Sequence, residues 1–143
     1  REFNLANRER NAIRYDQAEL DISDEMEVEA DRARYRADRD KDIRLARTEG
    51  IDAALERHDL DALLMPSWKG ENILNKAGYP AVIVPFTSVS NRLDPPAHEG
   101  FNPQPMPFGI TFVGSACSEG RLIELAYDFE QATKARRAPV YFP

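Results

Sequence analysis

The sequence predicts an α/β fold, with a few mostly buried strands covered by helices. Three observations predict it. Residues 109–113, Gly-Ile-Thr-Phe-Val, are short, β-branched and aromatic, and Gly109 and Gly114 bound them, the pattern of a buried strand. Directly after them, Leu122, Leu125, Ala126, Phe129 and Ala132 recur at three- and four-residue spacing, one apolar stripe of a helix. Upstream, Val82, Ile83 and Val84 form a continuous β-branched run, which predicts a strand covered on both faces. A strand that feeds a helix folding back onto a sheet is the unit of α/β architecture.

Taken in order, residues 1–20 are polar with scattered apolar positions (Phe3, Leu5, Ile13, Leu20), which allows a helix and a partly buried tail. Residues 21–24, Asp-Ile-Ser-Asp, supply a break and a cap. Residues 25–49 are dense in Arg, Asp, Glu and Ala and free of proline, so they predict a long exposed helix. Opposite charges recur within a turn there, as at Asp38 and Lys41 or Asp40 and Arg44. Gly50 is expected to end or kink that helix. Residues 51–58 predict a short helix with Ile51, Ala54 and Leu55 inward, and 59–61 a turn. Residues 62–65, Ala-Leu-Leu-Met, predict a buried strand stopped by Pro66. Residues 67–75 are expected to be a loop that holds the single tryptophan, Trp68. Pro80 and Pro85 cannot donate ladder hydrogen bonds and bracket the strand at 81–86.

Residues 87–106 carry Pro95, Pro96, Pro103 and Pro105 and predict a long surface excursion. Ser118 is placed to accept from the free N–H groups of the last helix, and Glu119 suits its positive end. Lys134, Arg136 and Arg137 suit the other end, and Pro139 forbids continuation. Tyr141 and Phe142 suggest an ordered tail. In domain terms, residues 1–60 are mainly helical, and residues 61–143 hold the strands and the C-terminal helix.

The balance of 31% charged and 42% hydrophobic residues is that of a soluble globular chain. A net charge of −6 argues against nucleic acid or an anionic membrane as partner. The basic residues between Arg32 and Arg44 alternate with acids and make no nucleic-acid stripe. One cysteine cannot build a disulfide framework, so a reducing, cytoplasmic setting is the default expectation. The sequence opens on Arg1 rather than methionine, so the chain is expected to start inside something longer.

Three stretches carry a resemblance. They are Ala-Gly-Tyr-Pro-Ala-Val-Ile-Val-Pro at 77–85, Pro-Phe-Gly-Ile-Thr-Phe-Val-Gly at 107–114, and Ser-Glu-Gly-Arg-Leu-Ile-Glu-Leu-Ala-Tyr-Asp-Phe-Glu-Gln-Ala-Thr at 118–133. In that order they resemble the closing segments of the amidase signature family. The resemblance implies a mixed buried β-sheet covered by helices, of which this chain supplies the last strands. It also implies hydrolysis of carbon–nitrogen amide bonds in the parent protein, with a small-molecule amide as substrate and no cofactor. Such enzymes use a serine nucleophile, a second serine and a lysine. The serine needs a base to take its proton, and a lysine can serve only when its pKa is lowered. In the family these residues lie in an earlier lysine context and a Gly/Ser-rich region. This chain has neither, so no catalytic residue is carried over and the triad is expected upstream.

The remaining candidates are local. Ser67 and Trp68 follow a predicted strand, where α/β sites collect ligands, and the resemblance places their loop near the substrate channel. They are the predicted pocket residues. Cys117 could sketch a pair with His98, but a small buried or semi-buried cysteine is the plainer reading. Ser118 fails the G-x-S-x-G elbow at its first position and reads as a helix cap. Asp38, Asp40, Asp42 and Glu49 match four positions of a calcium loop, yet Ile43 stands where the loop needs glycine. They read as a solvated helix face, and no metal site is expected.

A sheet cut in two leaves an unpaired edge and bare apolar surface. The chain alone is therefore expected to self-associate, to be poorly stable, or to be held by an N-terminal companion segment. Three functions follow: the C-terminal part of an amide hydrolase, a non-catalytic remnant or interaction module, or a small hydrolase built on Cys117 or Ser67.

Overall fold

Three strands and the helices on both sides of them form the folded body. The computed structural model describes residues 1–14, 16–91, 99–100 and 104–138. It divides into two compact units, residues 1–39 and 40–143. Among the described residues no helix is long and apolar enough to cross a membrane.

The first unit holds α1 (Glu2–Ala6), a 3₁₀ turn (Arg8–Arg10), α2 (Ala18–Asp24) and most of α3 (Val28–Ile43). Arg1 pairs with Asp21 at 2.5 Å and with Asp24 at 2.8 Å. None of its described residues is buried, so Phe3, Ile22 and Val28 stand in solvent. As predicted, α3 is an exposed helix, with Arg34 paired to Asp31 at 2.8 Å.

In the second unit the helix does not end at Gly50. It widens into a π-helix over Arg44–Asp52 and then continues as α4 (Ala53–His58). Gly50 permits this: a Cβ there would lie 2.6 Å from the Leu45 carbonyl oxygen. The widened turn also redirects Arg44 to Glu49 rather than to Asp40. Ile51 is buried as expected, and Asp59 closes α4 in the left-handed region at φ 49°.

β1 is Leu63–Pro66, β2 is Ala81–Val89 and β3 is Met106–Val113. They form one antiparallel sheet in the order β1-β3-β2. β2 runs past 86 and β3 begins at 106, so the predicted excursion starts and ends as strand; a bulge at Phe86 takes up the register shift between Pro85 and Thr87. The loop predicted at 67–75 is partly α5 (Glu71–Ala77), with left-handed Gly70 and Gly78 at its two ends. Seven residues between two glycines left too little periodicity to read as a helix.

α6 (Glu119–Thr133) packs on one sheet face. Leu122 and Ala126 are buried there against Val84 and Phe112. Phe129 adds a tilted contact to Phe86 at 6.0 Å and an edge contact to Phe112 at 5.8 Å. Ala132, last in the predicted stripe, is exposed beside the helix end. Ser118 is the N-cap residue, but its hydroxyl donates to the Ser115 carbonyl at 2.8 Å and does not cap the helix. Its position is as predicted and its hydrogen bond is not. Cys117, read as buried or semi-buried, is exposed at φ 62° in the reversing turn before α6. The excursion's prolines 95, 96 and 103, His98 and residues 140–143 lie outside the described residues.

The other face carries Leu63, Met65 and Val113, covered by the π-helix and α5. A polar clasp ties these elements together. Arg47 Nε donates to the Ala77 carbonyl, its guanidinium lies 5.2 Å over the Tyr79 ring, and the Tyr79 hydroxyl donates to Asp52 at 2.8 Å. Burial raises the Tyr79 pKa, and the Asp52 carboxylate raises it further. A raised phenol pKa stabilises the fold at pH values below the ordinary value of about 10 and loses that contribution as pH climbs through the raised value. Tyr79→Phe is expected to cost about 1 kcal/mol at pH 7. The gap to wild type should close in unfolding titrations above about pH 10; an unchanged gap there would contradict the clasp.

Candidate functional site

The turn after β1 holds the two predicted pocket residues. The Lys69 N–H donates to the Pro66 carbonyl at 3.0 Å, closing a tight turn through Ser67 and Trp68. Ser67 takes the left-handed region at φ 52°, which a non-glycine residue occupies only when its surroundings hold it. They do hold it. Its N–H donates to the Gly109 carbonyl at 2.8 Å, and its carbonyl accepts from the Thr111 hydroxyl at 2.5 Å. Ser67 is only 5% exposed, so the turn is pinned to β3. Trp68 is the opposite, 52% exposed on the outer side of the same turn. A large, rigid side chain left in water on a pinned turn is available to a ligand or to another surface.

Beside this turn lies an apolar hollow of about 420 Å³. Leu45, Gly50 and Ile51 of the π-helix, Leu63 and Met65 of β1 and Ile73 of α5 line it. At its rim Lys76 reaches both oxygens of Asp42 at 2.7 Å. That pair also accounts for one of the acidic residues tested against a calcium loop; Asp38, Asp40 and Asp42 all lie in α3. Met65 joins the hollow to the turn, because its sulfur fills the space where a Cβ on Gly70 would sit.

The pairing of β1 with β3 decides what the sequence could not: Ser67 sits beside the middle of β3, and Cys117 comes after its end. Pro66 is opposite Ile110 and the Ser67 N–H donates to the Gly109 carbonyl, while Cys117 lies four residues beyond Val113. The second half of the strand runs between them. The hollow's wall escaped sequence reading. Its residues come from three separated stretches of the chain, and the widened turn at Gly50 leaves no periodic signal.

No family model matches the chain. Two curated relatives do. One is a probable amidase of Arabidopsis thaliana, 34% identical over 92 residues, covering 64% of this chain and 15% of that protein. The other, from Arthroderma benhamiae and provisionally named an amidase, is 36% identical over 98 residues, covering 67% and 17%. Among solved structures the chain is similar to the peptide amidase of Stenotrophomonas maltophilia. The TM-score is 0.72 at 34% identity, over 99% of this chain and 29% of that one. The chain matches one part of amidases of the signature family. The same peptide amidase bound to the competitive inhibitor chymostatin matches equally, over 96% of this chain. The chain spans 15 to 17% of the curated relatives' length. Its mixed α/β architecture is that of the peptide amidase over the matched part.

Proposed function

We propose that this chain is the C-terminal part of an amide hydrolase, cleaving carbon–nitrogen amide bonds. The observation that supports the reading is the likeness to peptide amidase along 99% of the chain at 34% identity. In this reading the serine nucleophile, second serine and lysine come from sequence upstream of this chain. The chain contributes sheet, helices and part of the substrate channel, with Ser67 holding the turn and Trp68 forming a wall. A small amide, of the peptide-amide kind named for the solved relative, is the substrate class.

The test is ammonia release from a peptide amide. The whole reading frame containing this chain is expected to turn it over, and residues 1–143 alone are not. Trp68→Ala in the whole protein should raise KM about tenfold and leave kcat nearly unchanged, the result of removing binding equal in ground and transition states. Turnover by residues 1–143 that Ser67→Ala or Cys117→Ala abolishes would instead favour a small independent hydrolase. A whole protein without turnover would favour the non-catalytic module.

A further inference from the structure

Past the end of α6 a polar cleft of about 640 Å³ opens. Thr87 and Ser88 of β2 line it from the sheet, and Lys134 and Arg137 line it from the segment after α6. The register shift between Pro85 and Thr87 re-aims this part of β2, and both hydroxyl residues are exposed. Lys134 closes α6 in the left-handed region at φ 47°, so the chain reverses there and brings Arg137 back to the same cleft. Charge sets the cleft apart. The chain has 25 acidic residues against 19 Lys and Arg, yet among the described residues no carboxylate lines this opening. Lys134 Nζ donates to the neutral Gln131 side chain, and neither cation has a carboxylate partner among the described residues. Cations after a helix C-terminus complement its dipole, which accounts for Lys134 and Arg137 by themselves. It does not account for two hydroxyls on the same opening. Cations and hydroxyl donors converging on one cleft are the donor set for an anion.

The cleft is joined to the Ser67–Trp68 turn. Phe86 lines the cleft and also an apolar trough of about 310 Å³, together with Leu64 and Pro66 of β1 and Phe108 and Ile110 of β3. Leu64 is 60% exposed, so the trough is open to solvent. Gly109 fixes its span: the Gly109 carbonyl accepts from the Ser67 N–H, and Gly109 stands opposite Pro85 in register. Ser67 and Pro85 are therefore two strand spacings apart, about 10 Å. An extended peptide crosses that distance in about three residues, at roughly 3.3 Å each.

We propose that the cleft is an acidic-residue subsite. Lys134 and Arg137 take the side-chain carboxylate of a glutamate that stands about three residues before the terminal amide of a peptide-amide substrate. The apolar side chains between lie in the trough, and the amide end lies at the Trp68 turn. This rests on the reading above that the chain is part of an amide hydrolase with Trp68 as a channel wall. Two observations choose the occupant: the charge at one end of the trough and the length of the trough itself.

The test uses the whole reading frame and two N-acetylated tetrapeptide amides, apolar except for a first residue that is glutamate in one and glutamine in the other. Binding by equilibrium titration and ammonia release are measured on the same samples. The glutamate peptide should bind with a Kd and KM about tenfold lower, and the preference should shrink as salt screens the exposed cations. Lys134→Gln combined with Arg137→Gln should bring the two peptides within about twofold of each other. Arg136 is an exposed neighbour that does not line the cleft, so Arg136→Gln should keep most of the preference. Equal Kd values for the two peptides in wild type overturn the proposal, even where turnover is present. Arg136→Gln removing as much preference as Arg137→Gln also overturns it, because the effect is then a general field. Inorganic phosphate bound through Lys134 and Arg137, with no gain for the glutamate peptide, assigns the cleft to a free anion and overturns it too. Tighter binding of the glutamate peptide by a whole protein without turnover upholds the subsite and sinks only the hydrolase reading.

Discussion

Leu122→Ala should destabilise the second unit by about 2–5 kcal/mol. Leu122 is fully buried at the centre of the contact between α6 and the sheet. Its neighbours there are Val84, Phe112 and Ala126, each anchored in an element that cannot shift alone. Phe112 and Val84 belong to paired strands, and Ala126 is one turn along the same helix. The site therefore collapses poorly, and the loss includes the cavity as well as the transfer of the removed atoms. Leu122 also lies 3.3 Å from the position of a Cβ on Gly114, so it packs against the exit of β3 as well. Urea unfolding followed by far-ultraviolet circular dichroism should show the midpoint falling by about 1 M or more with an unchanged slope. A shift below about 0.3 M would mean that α6 contributes little to this body. Ile123→Ala is the matched control, because Ile123 is exposed on the outer side of the same helix and should cost little.

Gly50→Ala and Gly120→Ala should have opposite signs, although both glycines are helical. Alanine normally gains about 0.5–1 kcal/mol over glycine inside a helix. A Cβ on Gly120 meets nothing within 4 Å, so the normal gain is expected there. A Cβ on Gly50 meets the Leu45 carbonyl oxygen at 2.6 Å, and a backbone oxygen cannot swing away. The helix has two ways out. It can distort at Leu45, or it can lose the wide turn and continue as ordinary α-helix. Losing one residue of register would rotate Ile51 by about 100° and take it out of the core. Either way the expected cost is about 1–3 kcal/mol. Thermal melts of the two variants against wild type check this. A rise in Tm for Gly50→Ala would show that the π-helix is not required. The same variant should also reshape the hollow, since Leu45, Gly50 and Ile51 all line it.

The parts legible in the sequence share a cause. The β-branched cores of β2 and β3 and the stripe of α6 are regular patterns whose periods match their elements, and their burial follows from the period. The three stretches at 77–85, 107–114 and 118–133 also carried the family resemblance, and the peptide amidase match agrees with it. Where reading failed, the controlling contacts were not periodic. α5 is seven residues between two left-handed glycines. Cys117 was weighed by residue type, while its exposure comes from a reversing turn at φ 62°. Ser118 stood at the helix start, yet its hydroxyl is turned to donate to the Ser115 carbonyl and accepts from no N–H of the helix.

The sequence by itself determined the α/β class, the strands at the centre of the chain, the apolar face of α6 and the resemblance to amidases that these carry. It could do so because local periodicity and residue type already encode which side of an element is apolar. Only the tertiary structure decided that the sheet is antiparallel in the order β1-β3-β2, that Ser67 sits beside the middle of β3 while Cys117 follows its end, and that Ile83 of β2 is exposed. Strand order and register depend on contacts between residues far apart in the chain, such as Leu63 with Val113 and Ser67 with Gly109. No local pattern records which distant strand will supply the partner.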